Sequence, residues 1–205
     1  MPRGRYLVGG EVEEFACAAG PVGWRYTGVR RGPGLSVDLT LDGRGRPYRV
    51  ELATPDWVLR GGAAGTSLLW LRRPARGEVA GVERSAAAQG FSGDSPGFCI
   101  AVARLLRLGV GESRRVRLVE VSGAALATRV VDVEWRCVSV QAHRAGGGSL
   151  AVTRYDAVPV DTGEARTVYL AGDVVVAADG VELVEMDAPP EDAPPLDAPP
   201  GPGGR

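Results

Sequence analysis

The chain has 205 residues but no lysine and no asparagine, a single histidine and only three cysteines. All 24 basic side chains are therefore arginine, and with 25 acidic residues they leave a formal charge of −1. That balance excludes the broad positive footprint of a nucleic-acid or anionic-membrane binder. Arginine without lysine, beside abundant alanine, glycine, proline and valine, reads as GC-rich codon usage rather than as a dedicated phosphate site. Cys17, Cys99 and Cys137 are odd in number and widely spaced, which excludes both a disulfide framework and a zinc ligand pattern. His143 stands alone, and no tight cluster of carboxylates or thiols replaces the missing imidazoles, so no metal or other cofactor is expected. No apolar run approaches the ~20 residues of a membrane-spanning helix. The stretch Met1 to Val8 lacks the apolar segment of a signal peptide, and the expectation is a cytoplasmic, reduced protein.

What the sequence does have is period-two alternation. Leu35, Val37, Leu39 and Leu41 alternate with Ser36, Asp38 and Thr40; after a turn from Asp42 to Pro47, Tyr48, Val50 and Leu52 alternate with Arg49 and Glu51. This is a hairpin with one buried face. Comparable strands read at Trp24 to Arg30, Ser67 to Arg72, Glu78 to Arg84, Arg115 to Val121, Ser149 to Val158, Arg166 to Leu170, Asp173 to Ala177 and Val181 to Glu185. Ala127 to His143 is long enough for two strand segments or one strongly bent strand. Helices do not separate these strands, which argues against a parallel βαβ sheet. The expected fold is mainly β, a curved antiparallel sheet of half-barrel or barrel-like form, with one amphipathic helix on its concave face. The domain spans 1–186. Three Asp-Ala-Pro-Pro units follow within 187–205, an expected disordered, polyproline-like acidic tail that offers a docking peptide to a protein partner.

The helix falls at about 95–108. Phe98, Val102, Leu105 and Leu106 form its apolar stripe, with Cys99 beside it and Arg104 and Arg107 near its C-terminal end, where cations are favourable. Gly109 suits the C-cap. Upstream, Gly93-Asp94-Ser95-Pro96-Gly97 matches Gly-x-Ser-x-Gly, the nucleophile elbow of serine hydrolases. That reading makes Ser95 the nucleophile, His143 the base and Asp132 the orienting carboxylate. The stretch Ser85 to Phe91 lacks the buried strand an elbow needs. Helix capping explains the same residues: Ser95 as N-cap, Pro96 at the first helical position and Asp94 at the positive end of the dipole.

Other short motifs read as structure. Arg44-Gly45-Arg46-Pro47 resembles a minor-groove hook but sits in a hairpin turn. Gly61 to Gly65 and Gly146 to Gly148 read as flexible loops; the carboxylate pairs Glu13 with Glu14 and Glu11 with Glu13 line a strand face or, equally well explained, belong to a solvated face. Trp24, Trp57, Trp70 and Trp135 are spread over separate strands, each able to bury ~150–250 Å². Core packing is their usual role; facing a concavity, they would form an apolar binding wall.

The order of motifs resembles the glycolipid-binding family. The residues that carry this are Asp42-Gly43 through Pro47-Tyr48-Arg49-Val50, Asp56-Trp57, Ser95-Pro96 with Arg104-Leu105, Thr153-Arg154-Tyr155 and Asp179-Gly180-Val181. The resemblance loosely covers Trp24 to Glu185. Gly97-Phe98-Cys99-Ile100 replaces the family's Asn-Thr-Leu-Pro-Ile, and no Tyr-Pro follows Gly180. The resemblance implies a curved antiparallel sheet wrapped around a helix, as in lipoprotein carriers, and an apolar or glycolipid-like ligand; it implies no catalytic residue.

The function expected is non-catalytic binding of an apolar or amphipathic, lipid-like ligand, in a half-barrel cavity framed by Phe98, Val102, Leu105, Trp70 and Trp135. The alternatives are a serine hydrolase using Ser95 and an interaction or scaffold domain.

Overall fold

A computed structural model describes residues 1–32, 34–77, 80–145 and 148–187. The proposed tail lies outside them beyond Asp187, as do Glu78 and Val79, which were expected to open a strand. The architecture is one 15-stranded sheet. Its first half comprises β1 (Arg3–Val8), β2 (Glu11–Ala19), β3 (Gly23–Arg30), β4 (Leu35–Asp42), β5 (Pro47–Ala53), β6 (Trp57–Ala64), β7 (Ser67–Pro74) and β8 (Val82–Ala86). After β9 (Gly90–Gly93) and helix α1 (Gly97–Leu106) come β10 (Ser113–Ser122), β11 (Ala127–Ala145), β12 (Gly148–Pro159), β13 (Arg166–Ala171), β14 (Val174–Ala178) and β15 (Val181–Met186). Sequential hairpins make up both halves, and antiparallel pairing of β1 with β15 joins them. The sheet curves without closing, with β8 and β9 as its two edges.

The mainly β fold with one helix inside the curve is as the alternation indicated. Ala127 to His143 lies within the single strand β11, bent by a register shift between Cys137 and Ser139. Three expectations change. The Gly61 to Gly65 stretch is largely strand β6, because Gly61 lets the neighbouring Trp70 and Phe91 approach the backbone. Residues Gly90 to Gly93 form a strand after all, and β9 pairs parallel with β10 across the α1 crossover. The left-handed C-cap is Arg107, at φ 50°, rather than Gly109; its N–H donates to the Ala103 carbonyl at 2.9 Å.

Inward-facing positions fill the core. Trp24, Tyr26, Leu39, Val50 and Leu59 from one half meet Val116, Leu118, Val133 and Leu170 from the other. The helix occupies the centre, where Phe98, Ile100, Ala101, Val102 and Leu106 are all buried. A surface helix needs only an apolar stripe, whereas one enclosed by a sheet must be apolar over most of its circumference. Outside, arginines sit in cross-strand pairs such as Arg25–Asp38, Arg60–Glu51 and Arg117–Asp132. Their scattering along the sequence is thus the outer face of the sheet, and such exposed pairs add little stability.

The Asp42 to Pro47 turn docks on the helix end. Asp42 Oδ1 accepts the Arg44 and Arg46 amides, each at 2.8 Å, and Gly45 takes φ 79°. A Cβ on Gly45 would overlap the Arg104 carbonyl. Gly45→Ala should therefore cost about 1–3 kcal/mol in urea unfolding, combining a left-handed backbone with overpacking. A change below about 0.5 kcal/mol, the level of an ordinary surface substitution, would show that the turn can lift from the helix freely.

Candidate functional site

The helix enters the sheet's interior over a buried polar cluster. Glu13 on β2 faces inward, fully buried, directly opposite Arg30 on β3. Its Oε1 accepts from the Tyr26 hydroxyl at 2.8 Å and the Ser95 hydroxyl at 2.5 Å. Its Oε2 accepts from Arg30 Nη2 at 2.8 Å. The same Arg30 nitrogen donates to the Asp94 carbonyl at 3.0 Å, so the carboxylate and guanidinium fasten the segment leading into α1. Gly28 leaves the space that the Glu13 carboxylate fills, and Gly97 lets the helix start lie against the Tyr26 ring. Burial pushes the Tyr26 hydroxyl well above its ordinary range, and the charge on Glu13 adds to the effect.

This cluster corrects two sequence expectations. Glu13 is not part of a solvated face but the charged centre of the interior. Ser95 does not cap the helix with its side chain: its hydroxyl donates to Glu13, while its carbonyl accepts the Phe98 amide at 3.1 Å.

The hydrolase triad is not assembled. Ser95 is 2% exposed and its hydroxyl is held by a carboxylate rather than an imidazole. Asp132 lies on the outer sheet face, and its hydrogen bonds from Arg117 and Arg115 hold its carboxyl down at about 2. His143 is exposed farther along the same strand, and at ~3.3 Å per residue the two are some 35 Å apart along β11. The strand β9 before the motif, and its parallel partner, do supply what the sequence seemed to lack; the side chains around Ser95 do not.

Beside the helix, against β10 to β13, lies a cavity of about 150 Å³. Phe98, Val102 and Trp135 line it, with Val131, Val133 and Val168 completing the apolar wall. Arg129, Glu120, Thr162, Glu164 and Arg166 form a polar border. The sequence thus placed three of its five candidate residues on one cavity. The fourth, Leu105, is half-buried and borders a space of about 10 Å³ shared with Phe98 and Val102, too small for more than a single water. The fifth, Trp70, packs edge-on against Phe91, with centroids 6.3 Å apart, and lines none of these cavities. Trp135 stacks at a tilt on Tyr155, at 5.8 Å, so one face of the cavity rests on a fixed aromatic pair. Cys99 borders the same space; desolvation pushes its thiol up to about 11, against the pull of Arg166, so it is no ready nucleophile. Among the described residues no cluster of metal-ligating side chains occurs, and no helix is long and apolar enough to cross a membrane.

Fold and site together define a curved, unclosed antiparallel sheet that encloses one helix and leaves ligand-sized space beside it. No protein-family model and no curated protein matches the chain. A solved structure does: a DUF1089 family protein from Pseudomonas aeruginosa, with a TM-score of 0.52 at 14% sequence identity, over 80% of this chain and 88% of that one. The likeness is one of fold, to an uncharacterised family.

Proposed function

We propose that the protein binds a small apolar or amphipathic ligand without catalysing its conversion, in the cavity between α1 and β10 to β13. The supporting observation is that cavity's lining: an apolar floor of Phe98, Val102, Val133 and Trp135 beneath a border carrying both arginines and carboxylates. Apolar burial at ~25 cal/mol per Å² supplies affinity, and the charged border orients a polar head. The size limits the ligand. About 150 Å³, apolar at its floor and polar at its border, accepts a six-carbon ring or a short chain, not a long acyl tail lying wholly inside. A glycolipid-like ligand, as the family resemblance implied, would therefore insert only the end of its hydrocarbon.

Isothermal titration with hexylphosphocholine, a short-tailed amphiphile, tests this. Saturable one-to-one binding with a negative heat-capacity change is expected. Ala157→Leu, which places a larger side chain on the cavity wall, should weaken binding about tenfold or more. A flat titration, together with native mass spectra free of copurified ligand, would sink the proposal and favour an interaction domain.

A further inference from the structure

Phe98 also borders a second cavity, of about 200 Å³, at the N-terminal end of α1. Its apolar walls are Leu35, Leu52, Val121 and Leu126. Its polar lining includes Arg30, Glu11 and Asp94.

Arg30 is the informative residue. It is only 8% exposed, yet its guanidinium is incompletely used. Nη2 donates to Glu13 and to the Asp94 carbonyl; Nε is sealed off without a partner, whereas Nη1 makes no hydrogen bond to the described residues and stays accessible. A guanidinium offers five N–H groups, and buried ones are ordinarily all satisfied. Here Arg30 lines a partly open space, and an acceptor inside it gives the accessible Nη1 a partner.

The surrounding charge selects the acceptor. Glu13 already balances Arg30 in a direct ion pair, and Glu11 and Asp94 add two more carboxylates to the lining. A further anion would enter negative surroundings, whereas an uncharged oxygen accepts from Arg30 without that repulsion. The hydrocarbon walls take the rest of the molecule, and the volume somewhat exceeds the ~150 Å³ that holds benzene. We infer that this cavity is a separate binding site for a small uncharged molecule, a ketone, amide or alcohol on a cyclic or short-chain hydrocarbon frame, whose oxygen accepts a hydrogen bond from Arg30.

Titration of the full chain, methyl-labelled at leucine and valine, with cyclohexanone tests the inference. Saturable shifts at Leu35, Leu52, Val121 and Leu126 are expected, with movement of the Arg30 guanidinium N–H resonances. Cyclohexanecarboxylate should bind about tenfold more weakly or worse, and Arg30→Lys, which keeps the charge facing Glu13, should weaken cyclohexanone to a similar degree. The wild-type titration decides even if that variant folds poorly. Absence of saturable shifts means that the cavity holds water only and overturns the inference. Equal binding of the carboxylate overturns it too. Shifts confined to Val131, Val133 and Val168 would refute this site while leaving the cavity beside Trp135 as the place of binding.

Discussion

Glu13→Ala is expected to lower the free energy of unfolding by about 3–5 kcal/mol, the cost of stripping one partner from a buried ion pair. Arg30 would keep its charge in an interior position, 8% exposed, with no carboxylate opposite. The Tyr26 and Ser95 hydroxyls would lose their acceptor at the same time. The damage should extend to the helix, because Arg30 and Ser95 are the groups through which β2 and β3 hold the chain entering α1. A double substitution separates the ion pair from the site it occupies. With Glu13→Leu and Arg30→Met together no charge is left alone, and stability should recover the part of the loss due to the lone guanidinium, while the Tyr26 and Ser95 hydroxyls still lack their acceptor. Urea denaturation of the single and double variants measures both values. A Glu13→Ala loss under about 1 kcal/mol, ordinary for a point mutation, would mean that water reaches Arg30 and that the cluster does not fasten the helix.

That same cluster marks where the sequence became hard to read. Strand β4 was legible because each inward position held an apolar residue and each outward one a polar side chain. On β5, by contrast, Tyr48, expected inward with Val50 and Leu52, faces out beside a register shift at Thr40 and Leu41. On β2 the pattern Val12, Glu13, Glu14, Phe15 places a carboxylate at a core position, so alternation failed just where the interior is charged. A signal was nevertheless present. Trp24, Tyr26 and Gly28 set the inward parity of β3, and Arg30 falls on that parity. An arginine on an inward face requires a carboxylate beside it, and the preceding strand supplied Glu13 in register. Without the register the pair cannot be seen, since 17 residues separate its members. Strand β9 was missed for another reason: it is four residues long, with Phe91 its lone large apolar side chain, and its parallel pairing to β10 is a tertiary property. The cavity beside α1 was better anticipated. Phe98 and Val102 share one stripe of a short helix, and Trp135 sits at an inward position of a long strand. Trp70 obeys the same local rule, yet its register places it against Phe91 instead.

The sequence left open whether the helix stripe plugs the sheet's concavity or leaves room beside it. Phe98 does both, being 3% exposed and yet a wall of both larger cavities. Phe98→Ala should therefore cost about 3–5 kcal/mol, the range for deleting a buried aromatic ring, offset only slightly by alanine's better helix propensity. The unusual consequence concerns what the variant then accepts. With the ring gone, the spaces at Arg30 and at Trp135 adjoin through the void it leaves, which is lined mostly by hydrocarbon. Such a void stays available to an apolar guest, and a guest that binds only the folded state adds RT ln(1 + [L]/Kd), about 1.4 kcal/mol at ten times Kd. Benzene should thus restore part of the lost stability in Phe98→Ala and stabilise it more than it does the wild type, whose two cavities each admit a six-carbon ring but are kept apart by the native ring. Unfolding curves with and without benzene measure this directly. Equal benzene effects in the two proteins would show that the surrounding strands collapse onto the gap. The helix would then be a filler of the concavity, with no share in shaping space for a ligand.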